Sequence, residues 1–193
     1  FANYFIHMSD VTFDLKDNSI KIHNTFSEPW KVTIVDTGIL TNTAGRIKRV
    51  ESYLKNETSF HLTYGDGLSD VSIDKLYDFH KQENNYLTMT VTKPIGRFGT
   101  INFEKKSNNL SNFKEKPKEN SYWINSGFFV ANPSIFEYID GDRDSFEQDT
   151  IPKLVKESKV SGYKHTGFFQ PMDTLRDKML LNSLIETNSA PWI

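Results

Sequence analysis

The stretch VSIDKLYDFHKQENNYLTMTVT, residues 71–92, combines a predicted helix with a predicted strand. Leu76 and Phe79 recur at helical spacing in its first half, whereas the β-branched run LTMTVT at 87–92 is typical of a strand. HLTY, at 61–64, predicts another strand before the helix. A strand, a helix and a second strand in succession predict a βαβ unit, whose helix crosses over a mostly parallel sheet.

The same alternation continues on both sides of this stretch. It predicts an α/β fold with a mostly parallel mixed sheet flanked by helices. The 193 residues and 22.3 kDa fit a single domain over residues 1–193. Further strands are predicted on either side of a turn at 16–18, and at 30–38, 97–105, 109–116, 122–132 and 159–170, with further helices at 43–54, 145–158 and 174–188.

The composition excludes several classes of protein. Lys and Arg (23) nearly balance Asp and Glu (25), so the net charge of -2 indicates neither a nucleic-acid nor a membrane partner. The absence of cysteine excludes disulfides, thiolate nucleophiles and thiolate metal ligands, and it favours a cytoplasmic location. Any metal site must therefore use oxygen or imidazole ligands.

Two aspartates follow predicted strands, at the ends where α/β sheets bind their ligands. Asp66 lies between two glycines in TYGDG, 63–67, and fits either an ordinary turn or a Mg²⁺ ligand beside which the glycines admit a bulky anion. Asp173 follows an apolar strand and Pro171, and fits either a helix N-cap or a second metal ligand. A pair of carboxylates at strand ends favours the metal interpretation.

Two polar segments are candidates for sugar-phosphate contacts. Glu115 and Lys116 in NFKEKPKEN fit a solvated charged turn, or a carboxylate for sugar hydroxyls beside a cation for a phosphate. Asn125 and Gly127 interrupt an apolar strand, which indicates either a β-bulge or the close approach of a ligand.

A third candidate segment is the start of the helix at 43–54. Thr43, Gly45 and Arg46 are small or cationic residues in its first turn. Helix amino termini bind anions, and small residues leave room for a flat ring, so this segment could bind a nucleotide. An ordinary helix start explains the same residues.

The joint order of these motifs resembles the sugar-phosphate nucleotidyltransferases, and within them the branch that uses glucose 1-phosphate and CTP. The resemblance covers essentially the whole chain. It rests on VDTG (35–38), TAGRIKRV (43–50), TYGDG (63–67), GRFG (96–99), EKPK (115–118), INSGFFV (124–130), FEQD (146–149) and QPMDTLRDK (170–178).

The resemblance implies a Rossmann-like nucleotidyltransferase fold and a Mg²⁺-dependent reaction that yields CDP-glucose and pyrophosphate. The sugar phosphate attacks the α-phosphate of CTP in line, which requires positioning and charge neutralisation rather than a protein nucleophile. A homo-oligomer and a role in polysaccharide biosynthesis are also implied.

Site roles are carried over by the same resemblance. Asp66 and Asp173 resemble the metal ligands, and Lys116 resembles the catalytic cation that grips the sugar phosphate. The residues that resemble sugar-binding positions are Gly99, Glu115, Asn125, Gly127 and Glu147, and those that resemble nucleotide-binding positions are Thr43, Gly45, Arg46 and Gly65.

One element of the resemblance is missing. These enzymes begin with a strand and a glycine-rich loop of the type G-G-x-G-T-R that wraps the triphosphate, and no such loop precedes Phe1. We therefore expect an N-terminally truncated fragment that lacks the first strand, the phosphate loop and the following helix. Two alternatives remain: an inactive truncated module that binds a sugar phosphate or nucleotide, or the same reaction with dTTP or UTP.

Overall fold

The computed structural model describes residues 1, 3–94, 100–104, 110–114 and 122–193. Its contacts divide the chain into two units, Phe1–Asp36 and Thr37–Ile193. The first unit contains a short helix α1 (Tyr4–His7) and an antiparallel hairpin of β1 (Ser9–Asp14) and β2 (Ser19–Thr25). The hairpin confirms the pair of strands predicted around the turn at 16–18.

The second unit contains the remaining elements. Its strands are β3 (Phe60–Thr63), β4 (Gly67–Ser69), β5 (Leu87–Thr92), β6 (Thr100–Phe103), β7 (Leu110–Lys114), β8 (Ile124–Ala131), β9 (Val160–His165) and β10 (Phe169–Pro171). Its α-helices are α2 (Thr43–Arg49), α3 (Glu51–Leu54), α4 (Ile73–Glu83), α5 (Ile151–Lys156) and α6 (Leu175–Glu186). A 3₁₀-helix (Pro133–Tyr138) and a π-helical turn (Phe146–Thr150) lie between β8 and α5.

A four-stranded mixed sheet in the order β3-β8-β5-β9 forms the centre of this unit. Strand β8 runs antiparallel to both of its neighbours, and β5 runs parallel to β9. Strands β3, β5 and β9 therefore share one direction and β8 runs against them, which confirms the mixed sheet and the α/β class. Helix α4 packs against β5, β8 and β9, as the crossover in the opening stretch predicts.

The core of the unit is built from buried residues of α2, β3, β5, β8, the turns after β8, and α5. Phe129 on β8 and Phe146 in the π-helical turn are both almost fully buried, and their rings meet edge to face with centroids 5.6 Å apart. Aromatic contacts of this kind contribute about 0.5–1.5 kcal/mol beyond area burial. Phe146 thus anchors the turn that carries Glu147.

One predicted strand is wrong. The segment 30–38, which the structure describes throughout, is not a strand. Trp30 is 67% exposed and Ile34 75% exposed, so the β-branched residues pack against no sheet there. Strand propensity is realised only where a neighbouring strand and a packed face are available. Among the described residues, no helix is both long and apolar enough to cross a membrane.

Candidate functional site

A cleft of about 230 Å³ lies beside the carboxyl end of β3 and the start of β8. It brings together four of the predicted site residues: Asp66, Asp173, Asn125 and Gly127. The complete lining is Tyr64, Asp66, Gly67, Ile124, Asn125, Ser126, Gly127, Phe169, Pro171 and Asp173.

A two-stranded ribbon of β4 and β10 positions both aspartates. The strands pair antiparallel with Gly67 opposite Pro171. Just beyond this pair, the N–H of Met172 donates a hydrogen bond of 2.8 Å to the carbonyl of Asp66. The ribbon therefore holds Asp66 and Asp173 at one end, although distant parts of the sequence supply them.

A capping box at the start of α6 fixes the backbone next to Asp173. The hydroxyl of Thr174 accepts a hydrogen bond from the N–H of Asp177, and the Asp177 carboxylate accepts one from the N–H of Thr174. Gln170 on β10 also donates to the buried Asp177 carboxylate at 2.9 Å. Thr174, and not Asp173, is thus the N-cap, so the capping alternative for Asp173 is wrong.

The carboxylates of Asp66 and Asp173 have no hydrogen-bond or ion-pair partner among the residues that the structure describes. Two unpaired carboxylates on one cleft repel each other and attract a cation. Their hard oxygen donors suit Mg²⁺, which is usually bound by one or two carboxylates together with substrate phosphates. The described chain contains no group of three or more Asp, Glu, His or Cys side chains that could hold a metal by itself.

The interruption of β8 at Asn125 and Gly127 is a β-bulge, and it also lines the cleft. The register with β5 shifts here, and Gly127 has a φ of +77°, a backbone conformation that favours glycine. The Asn125 side chain accepts a hydrogen bond of 2.8 Å from the N–H of Gly127. The bulge interpretation is therefore confirmed, whereas the close approach of a ligand to this segment stays a prediction.

Tyr64 also lines the cleft, and the sequence analysis missed it. Its ring meets Phe129 edge to face at a centroid distance of 5.5 Å, and its hydroxyl donates to Oε1 of Glu147. Burial, the Glu147 hydrogen bond and the Asp66 charge raise the pKa of Tyr64 above its ordinary value, so the phenol is neutral at physiological pH. The available signal was an aromatic residue directly before Gly-Asp-Gly.

Glu147 is not in the lining of the cleft and is held by hydroxyl groups. Besides the Tyr64 bond, its Oε2 accepts hydrogen bonds from Thr43 at 2.9 Å and from Ser145 at 3.1 Å. Burial acts to raise the pKa of Glu147, but these bonds and one from its own backbone outweigh burial and lower the pKa. The Thr43 hydroxyl also accepts a bond of 2.8 Å from the N–H of Phe146.

The other predicted nucleotide-binding residues have different surroundings. A Cβ on Gly45 would lie 2.6 Å from the backbone of Asp142, so close packing explains this glycine. Arg46 donates to the hydroxyl of Thr37 at 2.7 Å. Gly65 has open space around it, next to Asp66. The cleft therefore adjoins Gly65 but includes neither Gly45 nor Arg46.

Three predicted residues, Gly99, Glu115 and Lys116, lie outside the described residues. Their roles stay predictions.

Comparison with known proteins adds independent information. The family profile described as "Nucleotidyl transferase" matches residues 8–174. A glucose-1-phosphate cytidylyltransferase from Salmonella typhi is 46% identical over 192 residues, which are 100% of this chain and 74% of that protein. A mannose-1-phosphate guanyltransferase from Saccharomyces cerevisiae is 34% identical over 152 residues, which are 74% of this chain and 42% of that protein.

A solved structure shares the fold. HddC from Yersinia pseudotuberculosis superimposes with a TM-score of 0.54 at 21% identity, over 76% of this chain and 63% of that chain. The chain thus spans about three quarters of the Salmonella protein and less than two thirds of the Yersinia protein.

Proposed function

The chain belongs to the nucleotidyl transferase family, and from this premise we propose that it transfers the cytidylyl group of CTP to glucose 1-phosphate. A phosphate oxygen of glucose 1-phosphate forms a bond to the α-phosphorus of CTP, the bond to the bridging oxygen breaks, and pyrophosphate leaves. CDP-glucose is the other product. The predicted family resemblance and Rossmann-like nucleotidyltransferase fold are confirmed.

The observation that carries this proposal is the cleft shared by Asp66 and Asp173. Both carboxylates lack a partner among the described residues, and this fits a divalent cation. We propose that they hold Mg²⁺, which when bound supplies positive charge for the phosphates of the nucleotide. The protein's own contribution is to orient these two carboxylates through the ribbon and the capping box of α6.

The rest of the cleft supports a place for the sugar. Asn125 and Gly127 form its wall on β8, with the Asn125 side chain held against the Gly127 N–H. We propose that Glu115 contacts the sugar hydroxyls, that Lys116 binds the sugar phosphate, and that Gly99 offers a backbone contact. Removing one preorganised charge at such a site costs about 100- to 1000-fold in rate.

For the nucleotide we retain Gly65, which adjoins Asp66 in open space, and the segment of Thr43, Gly45 and Arg46. Thr43 would act there through Glu147 and the backbone of Phe146, which it already contacts. Gly45 would act by allowing the close packing of α2 on Asp142.

Further parts of the proposal concern the whole protein. We propose a single nucleotidyltransferase domain over residues 1–193, because the family match at 8–174 crosses the boundary between the two units. A homo-oligomer, a cytoplasmic location and a role in polysaccharide biosynthesis complete the proposal.

The test is pyrophosphate release from glucose 1-phosphate and Mg²⁺ with CTP, UTP, dTTP, GTP and ATP offered one at a time. We expect release with CTP, and none when EDTA replaces Mg²⁺. Release with dTTP or UTP in preference to CTP would overturn the base assignment. No release with any nucleotide, together with binding of glucose 1-phosphate, would favour a binding module without turnover.

A further inference from the structure

We propose that Tyr64 determines sugar specificity by forming the wall of the cleft against which the hexose packs, and that Glu147 is a positioning residue that acts through Tyr64. This inference rests on the proposed function, since it assigns the hexose to the side of the cleft formed by Asn125 and Gly127. It changes the role of Glu147, which the resemblance assigns to direct sugar contact.

The ring of Tyr64 has a fixed position in the cleft. On one side it packs edge to face against the buried ring of Phe129, with centroids 5.5 Å apart. On another side it approaches Gly127 so closely that a Cβ there would lie 2.9 Å from Cδ2 of the ring. The backbone N–H of Tyr64 also donates to the carbonyl of Gly127 at 3.1 Å. The bulge in β8 therefore makes room for this ring.

The hydroxyl end of the ring is held as firmly. It donates to Oε1 of Glu147, while Oε2 accepts from the hydroxyls of Thr43 and Ser145. The Ser145 hydroxyl in turn caps the π-helical turn by accepting from the N–H of Gln148 at 3.1 Å. Glu147 is therefore fixed from the side opposite Tyr64, and it fixes the phenol.

The same contacts argue against a direct contact between Glu147 and the sugar. Both carboxylate oxygens of Glu147 already accept hydrogen bonds, and Glu147 is absent from the lining of the cleft, whereas Tyr64 is part of it. A sugar presents axial and equatorial hydroxyls that differ between hexoses, and a rigid aromatic wall accepts a flat face of C–H groups more readily than an axial hydroxyl. A fixed Tyr64 ring can therefore select among hexose 1-phosphates.

The chain offers a matched control. Tyr138 donates an equivalent phenol hydrogen bond, 2.5 Å long, to Glu157, and neither residue lines the cleft. Tyr64→Phe and Tyr138→Phe thus remove the same kind of bond, one at the cleft wall and one away from it. Tyr64→Ala removes the wall itself.

The experiment measures KM and kcat for glucose 1-phosphate and for its galactose and mannose counterparts, with CTP at saturation. For Tyr64→Phe we expect KM for glucose 1-phosphate to rise about five- to tenfold, the effect of one lost hydrogen bond, with kcat within about twofold. For Tyr64→Ala we expect a larger rise and at least about a tenfold loss of preference for glucose 1-phosphate. Tyr138→Phe should leave KM and the preference unchanged.

Glu147→Gln and the double variant Tyr64→Phe/Glu147→Gln test the positioning role. If Glu147 acts through Tyr64, the double variant should show the same KM as either single variant. Additive effects on KM would mean that Glu147 contacts the substrate itself, and would overturn that part of the proposal. Unchanged KM and unchanged preference in both Tyr64 variants would overturn the whole inference.

The inference can fail independently of the proposed function. Wild-type turnover with CTP tests the function, whereas only the variants test the wall. If the wild type shows no turnover, the dissociation constants of the three hexose 1-phosphates are measured by calorimetry on the same variants. Equal affinities of wild type and Tyr64→Ala for all three would then overturn it.

Discussion

Asp66 and Asp173 have the opposite environment to Glu147, although all three are carboxylates close to one cleft. The two aspartates are exposed and lack partners among the described residues. Glu147 accepts bonds from three hydroxyl groups and its own backbone. Unpaired carboxylates can take a cation without losing internal bonds, whereas a carboxylate with saturated oxygens serves the protein's own structure. The difference supports the proposed division between cation-binding and positioning carboxylates by a criterion that residue type cannot give.

The largest expected effect is the loss of turnover when one carboxylate of the Asp66 and Asp173 pair is neutralised. Asp173→Asn keeps the shape of the side chain and removes its charge, so we expect kcat to fall about 100- to 1000-fold. The free energy of unfolding should change by less than about 0.5 kcal/mol, because no bond within the described chain is lost. Pyrophosphate release and urea unfolding measure the two effects.

Asp78→Asn is the matched control for that substitution. Asp78 lies on α4, and among the described residues its ion-pair partner is the exposed Lys81, at 2.8 Å. The control should leave both turnover and stability nearly unchanged. If Asp173→Asn lost stability but kept its turnover, Asp173 would be a structural carboxylate like Glu147. That result would contradict the difference drawn between the two aspartates and Glu147.

Two glycines test the same distinction between structural residues and proposed ligand-binding residues. The expected effect, on the free energy of unfolding, is intermediate in size. Gly45→Ala should lower the free energy of unfolding by about 1–3 kcal/mol, because its Cβ would collide with the backbone of Asp142. A Cβ on Gly65 would meet open space, so Gly65→Ala should change the free energy of unfolding by less than about 0.5 kcal/mol. Chemical unfolding of both variants measures this. Equal losses of stability would show that Gly65 is also a packing glycine.

The smallest expected effect is the pH dependence that Glu147 contributes. Its pKa in the folded protein lies below the ordinary value of 4.5. The stabilisation from its ionised form is therefore complete above that value and is lost as the pH falls through the folded pKa. Glu147→Gln should make the decline in stability between about pH 5 and pH 3 shallower.

Thermal unfolding of the wild type and Glu147→Gln over this pH range measures the difference. The same comparison with Asp173→Asn serves as the control, since its carboxylate has no partner in the described chain. Parallel pH profiles for wild type and Glu147→Gln would contradict the role of these hydroxyl bonds in stability.

The sequence predicts most of the fold because its signals are local. LTMTVT forms β5. Ser72 caps α4 because its hydroxyl accepts a hydrogen bond from the N–H of Lys75, which is only three residues away. The strand predicted at 30–38 is wrong, because a strand forms only beside a partner strand, and local propensity does not supply that partner.

The site was predictable only in part, for the same reason. The strand ends predicted the shared position of Asp66 and Asp173, and the interrupted strand predicted the bulge at Asn125 and Gly127. The contact between Thr43 and Glu147 joins positions that are 104 apart in sequence, and no local pattern indicates it. The N-cap of α6 shows the limit at short range, because both Asp173 and Thr174 suit that position and only the bond to Asp177 decides between them.

The ribbon of β4 and β10 also bears on the order in which the protein acquires its site. More than one hundred residues separate Asp66 from Asp173, and β10 is the last strand along the chain. During synthesis the first carboxylate is therefore made long before the second, and the pair forms only when β10 closes a large loop. A cation that needs both carboxylates binds the folded chain and not its nascent precursors, so it would stabilise the completed fold by mass action.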